Sequence, residues 1–260
     1  MLSLDNLQVS NRLGPLTCQL PSNQHIGLIG PNGSGKSTLL LSIAGLLNHS
    51  GRIQFQEQIV SEWTVSEAAI KRSMLPQKLI QLLPIACHEV IALGAAPLSV
   101  NQALIAKSIN EISERLELTD FYQRDFSALS GGEQQRVLLA KTLLQVWPSL
   151  NPNGRFILLD EPLTGLDLYH QLQLLDLLNE LKNKGLTVMT SLHDFNMAAN
   201  HCDSIICLEH GKIVFSANVS QFNEELIEKV FHIKTHRTEI HGQIQFIPWK
   251  TNTTKRTTKS

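Results

Sequence analysis

Apolar and polar residues alternate at period two through the opening LSLDNLQV, the pattern of an antiparallel strand with one wet face. A second strand is expected at about PLTCQL. The runs HIGLIG, FILLD (156–160) and TVMTSL (187–192) break the alternation and are apolar almost throughout, as in parallel strands covered on both faces. Leucines at 168, 172, 175 and 178 predict a packing helix that ends at Gly185, with Lys182 and Lys184 complementing its dipole. Residues 78–128 read differently, with helical stretches near 86–93 and 101–117 and no strong strand. Strand and helix alternate elsewhere, so the expected fold is α/β, with an antiparallel β part at the start and a helical subdomain inserted at about 78–128. One domain is expected over 1–249, followed by a polar, disordered tail at 250–260.

Composition narrows the function classes only slightly. With 260 residues, 42% of them apolar, the chain can bury a sizeable core. A net charge of -1 and a pI near 6.8 lack the basic footprint of a dedicated nucleic-acid binder. The first ten residues lack a secretory signal pattern, and no apolar run reaches the length of about 18 that a membrane span needs, so a soluble chain is expected. Cys18, Cys87, Cys202 and Cys207 are scattered without metal-ligand spacing and read as reduced, buried thiols.

Chemistry begins at GPNGSGKST, residues 30–38, a phosphate-loop pattern set between a strand and a helix. There, backbone N–H groups and a helix N-terminus converge on one anion. Gly30, Pro31, Asn32, Gly33, Ser34, Gly35 and Thr38 build the cradle; Lys36 is placed for β and γ oxygens, and Ser37 offers a hydroxyl to magnesium. A second element ends FILLDEP, where Asp160 and Glu161 fall beyond the carboxyl end of a strand. Asp160 suits magnesium and Glu161 suits orienting or deprotonating a water. Alone, DEP is also an ordinary strand-to-turn sequence.

LSGGEQQR, residues 129–136, opens another helix. Ser130 and Glu133 make a capping box, but Gly131 and Gly132 between them each weaken the first turn by about 1 kcal/mol relative to alanine. Bare amides beside a serine hydroxyl suit a second phosphate-contacting surface, which one bound nucleotide does not obviously reach.

The order GPNGSGKST, MLPQ, LSGGEQQR, FILLDEP, TGLDL and SLHD resembles the ATP-binding subunits of ABC transporters over residues 1–249. The resemblance implies a P-loop NTPase core sheet and two copies docked head to tail, with ATP and Mg2+ between one chain's phosphate loop and its neighbour's Ser130, Gly131, Gly132, Glu133 and Asp167. It implies that Gln77 senses magnesium and the attacking water, and that His193 contacts the γ-phosphate beside Glu161. It also implies two membrane permease subunits, whose coupling helices would dock near Gln77 and residues 78–98, and indirectly a periplasmic substrate-binding protein at a bacterial inner membrane. The loop WPSLNPNGR and the segment NRLGPL are similar to the ATPases of vitamin B12 importers, with haem and ferric-siderophore importers as the alternative. A different class, soluble ABC-type ATPases acting on nucleic acid or ribosomes, carries a long coiled-coil insertion or a second cassette, and neither is present here.

One departure from the family concerns the base. No Phe, Tyr or Trp precedes Phe55, so adenine would stack on Arg12 or Leu13.

Overall fold

The computed structural model describes residues 1–77 and 85–249. The first part of the expected insertion and the expected disordered tail thus lie partly or wholly outside the described residues. Along the chain run β1 (Leu2–Val9), β2 (Leu13–Leu20), β3 (His25–Ile29), α1 (Lys36–Ile43), β4 (Ser50–Phe55), β5 (Gln58–Ile59), α2 (Val65–Lys71) and β6 (Arg72–Leu75). Then come α3 (Cys87–Ala92), α4 (Gln102–Arg115), α5 (Gly131–Leu144), β7 (Phe156–Leu159), α6 (Leu168–Asn183) and β8 (Thr187–Ser191). The remaining elements are α7 (Phe195–His201), β9 (Ser204–Glu209), β10 (Lys212–Asn218), α8 (Glu224–Phe231), β11 (Thr235–Ile240) and β12 (Gln243–Pro248).

β1 buries Leu2, Leu4, Leu7 and Val9, so its alternation slips by one residue at Asn6. A bulge absorbs the slip: the pairing register shifts there, Asn6 has φ +52°, and Gly51 on β4 leaves room for the Asn6 carbonyl. The antiparallel sheet has the order β2-β1-β4-β5.

The larger sheet runs β10-β9-β3-β8-β7-β6, parallel except for β10 at one edge. β3, β7 and β8 are buried at every position, as their unbroken apolar runs require. Leu28 of β3 stands opposite Ser191 of β8, and Leu159 of β7 opposite Thr190, so three strands end level. Their carboxyl ends form one rim, the usual ligand edge of such sheets.

α3 and α4 pack on α5, burying Ile91, Ile112, Val137 and Leu143 in one apolar cluster with the sheet residue Leu159. The expected leucine face of α6 is rotated from the observed one. Leu174, Leu175, Leu177, Leu178 and Leu181 are buried, whereas Leu168 and Leu172 are exposed. The first turn of α6 leaves Leu168 and Tyr169 exposed, and the core selects a stripe centred on Leu174, Leu178 and Leu181. Lys184 is the C-cap, and Gly185 follows at φ +97°, the left-handed position where glycine ends a helix.

β11 and β12 form a separate hairpin held to α7 by two asparagines one helical turn apart. Asn196 accepts from the Phe246 N–H at 2.7 Å and donates to its carbonyl at 3.3 Å. Asn200 does the same for Ile244, at 2.8 and 2.7 Å. On the opposite edge the Arg237 N–H donates to the Glu224 carboxylate. All four cysteines are free, and among the described residues no helix is long and apolar enough to cross a membrane.

Candidate functional site

A cavity of ≈ 510 Å³ opens at the strand rim, lined by Asn11, Arg12, residues 32–38, Gln77, Glu161 and His193. Its floor is the loop between β3 and α1. Gly30 has φ +148°, and a Cβ there would lie 2.1 Å from the Leu208 carbonyl oxygen, so only glycine lets the loop leave the strand against β9. The Lys36 ammonium folds back over the loop and donates to the Gly30 and Pro31 carbonyls at 2.8 and 3.2 Å. Burial pushes the Lys36 pKa down, and the negative charges of Glu161 and then Asp160 oppose that shift.

β7 delivers the carboxylates. Asp160 is almost fully buried behind the cavity wall, while Glu161 turns into the cavity with the left-handed φ of +51°. Ser191, at the end of β8, joins them: its hydroxyl donates to Asp160 Oδ1 at 2.7 Å and accepts from the Glu161 N–H at 2.7 Å. This residue escaped the sequence reading. A hydroxyl closing a buried strand two residues before His193 was the available signal. His193 Nε2 lies 2.9 Å from Glu161 Oε1.

Of the two expected adenine supports, Arg12 lines the cavity. Leu13 is buried, packed against the backbone of Gly35, and offers no face to a base.

Ser130 and Glu133 form the expected capping box. Glu133 Oε2 accepts from the Ser130 N–H and hydroxyl, both at 2.7 Å, and the Ser130 hydroxyl accepts from the Glu133 N–H at 3.4 Å. The Ser130 hydroxyl, then its N–H, hold the Glu133 carboxyl below the usual range. Asp167 caps α6, accepting from the His170 N–H at 2.9 Å and facing its ring nitrogen at 2.8 Å. Among the described residues lining the cavity there is no Ser130, Gly131, Gly132, Glu133 or Asp167. Residues 30–38, Gln77, Asp160, Glu161 and His193 are thus gathered at one place, and the second glycine edge stands apart from it.

A phosphate loop, an acidic strand end and a histidine opposite it define a P-loop nucleotide hydrolase. Residues 13–164 match the model of the ABC transporter family. The chain belongs to the ABC transporter family, as one of its ATPases. Among curated proteins it is similar to the vitamin B12 import ATP-binding protein BtuD of Yersinia pseudotuberculosis, 37% identical over 90% of this chain and 92% of that one. The protein of that name from Vibrio cholerae is 35% identical over 93% of this chain and 97% of its own. Among solved structures, an inward-facing putative metal-chelate type ABC transporter shares the fold, with a TM-score of 0.77 at 22% identity over 96% of this chain and 97% of that one. A nucleotide-free ATP-binding cassette from an ABC transporter gives 0.72 at 23% identity, covering 89% of this chain and 94% of that one.

Proposed function

We propose that the chain is the ATP-hydrolysing subunit that powers import of vitamin B12 (cobalamin) through a separate membrane permease, by ATP-driven closure of a head-to-tail pair of identical chains. Gly131 is the main support. It is exposed, its added Cβ would meet nothing within 4 Å, and it stands outside its own chain's cavity. No packing inside the chain calls for glycine there, whereas a neighbour's phosphate does. Two-fold docking would place Ser130, Gly131, Gly132 and Glu133 against that nucleotide in both sites at once, with Asp167 across the interface.

Within each site the roles follow from position. Residues 30–38 cradle the phosphates. Ser37, Asp160 and Gln77 would hold Mg2+, an oxygen donor set with a single carboxylate, as suits an ion that keeps waters and phosphates as its other ligands. No cluster of three His, Cys, Asp or Glu suited to other metals occurs among the described residues. When bound, the ion neutralises charge developing on the phosphates. Glu161 accepts a proton from the attacking water, and His193 keeps that carboxylate aimed at it.

The pair would sit on the cytoplasmic face of a bacterial inner membrane, bound to two permease subunits and fed by a periplasmic substrate-binding protein. Cobalamin rests on the curated relatives and on the sequence resemblance, because no cavity residue here meets the cargo. The test is ATP hydrolysis by the chain purified with its permease. Stimulation by a cobalamin-loaded binding protein supports the assignment; stimulation by a haem- or siderophore-loaded one, without cobalamin, reassigns the cargo.

A further inference from the structure

Glu117 follows α4 in the left-handed conformation, at φ +50°, where the Leu118 N–H reaches back to the Ser113 carbonyl at 2.8 Å. Glycine is the usual residue at such a helix end, because a Cβ is strained there. A glutamate in this place calls for a use outside α4, and its side chain has one. Oε1 accepts from the Tyr169 hydroxyl at 2.8 Å and, more weakly, from Gln173 at 3.5 Å, while Oε2 faces His170 Nε2 at 3.5 Å. Tyr169, His170 and Gln173 are all in the first turns of α6, and His170 Nδ1 meets Asp167 Oδ1 at 2.8 Å. From the other side Arg136 of α5 donates to the Leu116 and Glu117 carbonyls at 2.9 and 3.0 Å. One residue therefore ties together the end of α4, the helix that begins beside Ser130 and the helix that begins beside Asp167.

Two further contacts run in parallel. Gly132 abuts the Gly165 carbonyl, and the Gln135 amide donates to the Pro162 carbonyl at 3.2 Å. The Ser130–Gly132 edge and Asp167 thus ride on one body. His170 Nε2 is buried and has no hydrogen-bond partner among the described residues, although the Glu117 carboxylate is 3.5 Å away. About half an ångström of travel by the end of α4 would bring that pair to hydrogen-bonding distance.

We propose that Glu117 and His170 are positioning residues, a latch that sets the Ser130–Gly132 edge and Asp167 in one register for the partner chain's nucleotide. The latch rests on the paired-chain reading above. Both carboxylates in it are largely solvent-facing, so its worth to folding is small and its effect belongs in turnover.

The experiment compares ATP turnover and melting of the full chain in its permease complex as wild type, Glu117→Gly, His170→Ala and the double variant. Glu117→Gly removes the carboxylate and relieves the backbone at the same time. It is expected to melt no lower than wild type yet turn over about five-fold more slowly in the complex, with the ATP affinity of the isolated chain unchanged because its own Lys36 cavity is untouched. The double variant should fall no further than the slower single one. Wild-type kcat in both single variants overturns the latch, as does a fall in kcat that merely tracks lost folded protein. Ser130→Arg, measured alongside, separates the failures. If it halts turnover while the latch variants do not, only the latch is wrong; if it too turns over normally, the paired-chain reading fails first.

Discussion

A Cβ added to Gly132 would stand 2.8 Å from the carbonyl oxygen of Gly165, whereas one added to its neighbour Gly131 would meet nothing within 4 Å. The two glycines of one capping box therefore answer to different demands. Gly131→Ala should stabilise the isolated chain by up to about 1 kcal/mol through better helix propensity, while slowing hydrolysis in the permease complex. Gly132→Ala should lower the melting temperature, because the opposing atom is backbone and cannot turn aside. Denaturant titration and ATPase assays on the two variants test both halves; normal turnover in Gly131→Ala would remove the support it lends to a shared site.

His193 reaches Glu161 at 2.9 Å, and the proposed function divides the pair between aiming and accepting a proton. Glu161→Gln should keep nucleotide affinity and lose about 10²–10⁴ in kcat. Binding of a fluorescent ATP analogue, set against phosphate release, reads the two effects separately. Turnover close to wild type would take the base role away from Glu161.

Ser191→Ala, at a buried position, strips a shared partner from the buried Asp160 carboxylate and from the Glu161 N–H. An unfolding free energy lower by about 1–3 kcal/mol is expected, with a reduced kcat because Glu161 loses its anchor. Ser191→Thr, which keeps the hydroxyl, should recover part of the turnover. Equal kcat in the alanine and threonine variants would show that the hydroxyl does not position the carboxylates.

His25 gives the fold a dependence on pH. Burial pushes its imidazole from 6.5 down to about 4, against the smaller opposing effects of the Asn179 hydrogen bond and the Asp203 charge. Between those values the unfolded chain holds a proton that the folded chain does not, so stability rises with pH across that window. The contribution is complete above about pH 6.5 and is lost as the pH falls towards 4, worth roughly 3 kcal/mol in all. Urea midpoints measured from pH 5 to 7.5 should slope upward in the wild type and flatten in His25→Gln, which retains an amide to meet Asn179 and Thr190. Parallel slopes would assign the dependence to other groups.

Of the two expected base supports, Arg12 lines the cavity and Leu13 is buried, so Arg12 is the one we propose to meet the base. A guanidinium stacks on any purine and reads little of its edge. GTP should therefore be hydrolysed at a measurable rate, and Arg12→Ala should raise KM for both nucleotides together. Strict discrimination in favour of ATP would mean that another group contacts the base.

The nucleotide cavity was legible because its motifs are local. The spacing from Gly30 to Ser37 is that of a phosphate-binding loop, and the Asp160–Glu161 pair is announced by the strand that precedes it. Ser191 was not legible, since its place beside both carboxylates depends on the register of β7 against β8. The α6 face was misread for a different reason. Leucine occurs at seven positions from 168 to 181, so several stripes are available and only the neighbouring sheet chooses among them. Leu13 was legible as apolar but not as buried, because the backbone of Gly35 that covers it arrives more than twenty residues later. Glu117 gave no signal at all, since no sequence pattern distinguishes a glutamate in a left-handed turn from one on a helix surface.

The carboxamides of Asn196 and Asn200 occupy the hydrogen-bonding groups of β12 on the side away from β11, and Glu224 plugs the outer edge of β11 at Arg237. A two-stranded ribbon ordinarily invites foreign strands to extend it. Here side chains from two helices occupy the outer edge of β12 at Ile244 and Phe246 and one N–H of β11 at Arg237. That leaves an intruding strand fewer free groups to pair with and lowers the tendency of the ribbon to template β-aggregates.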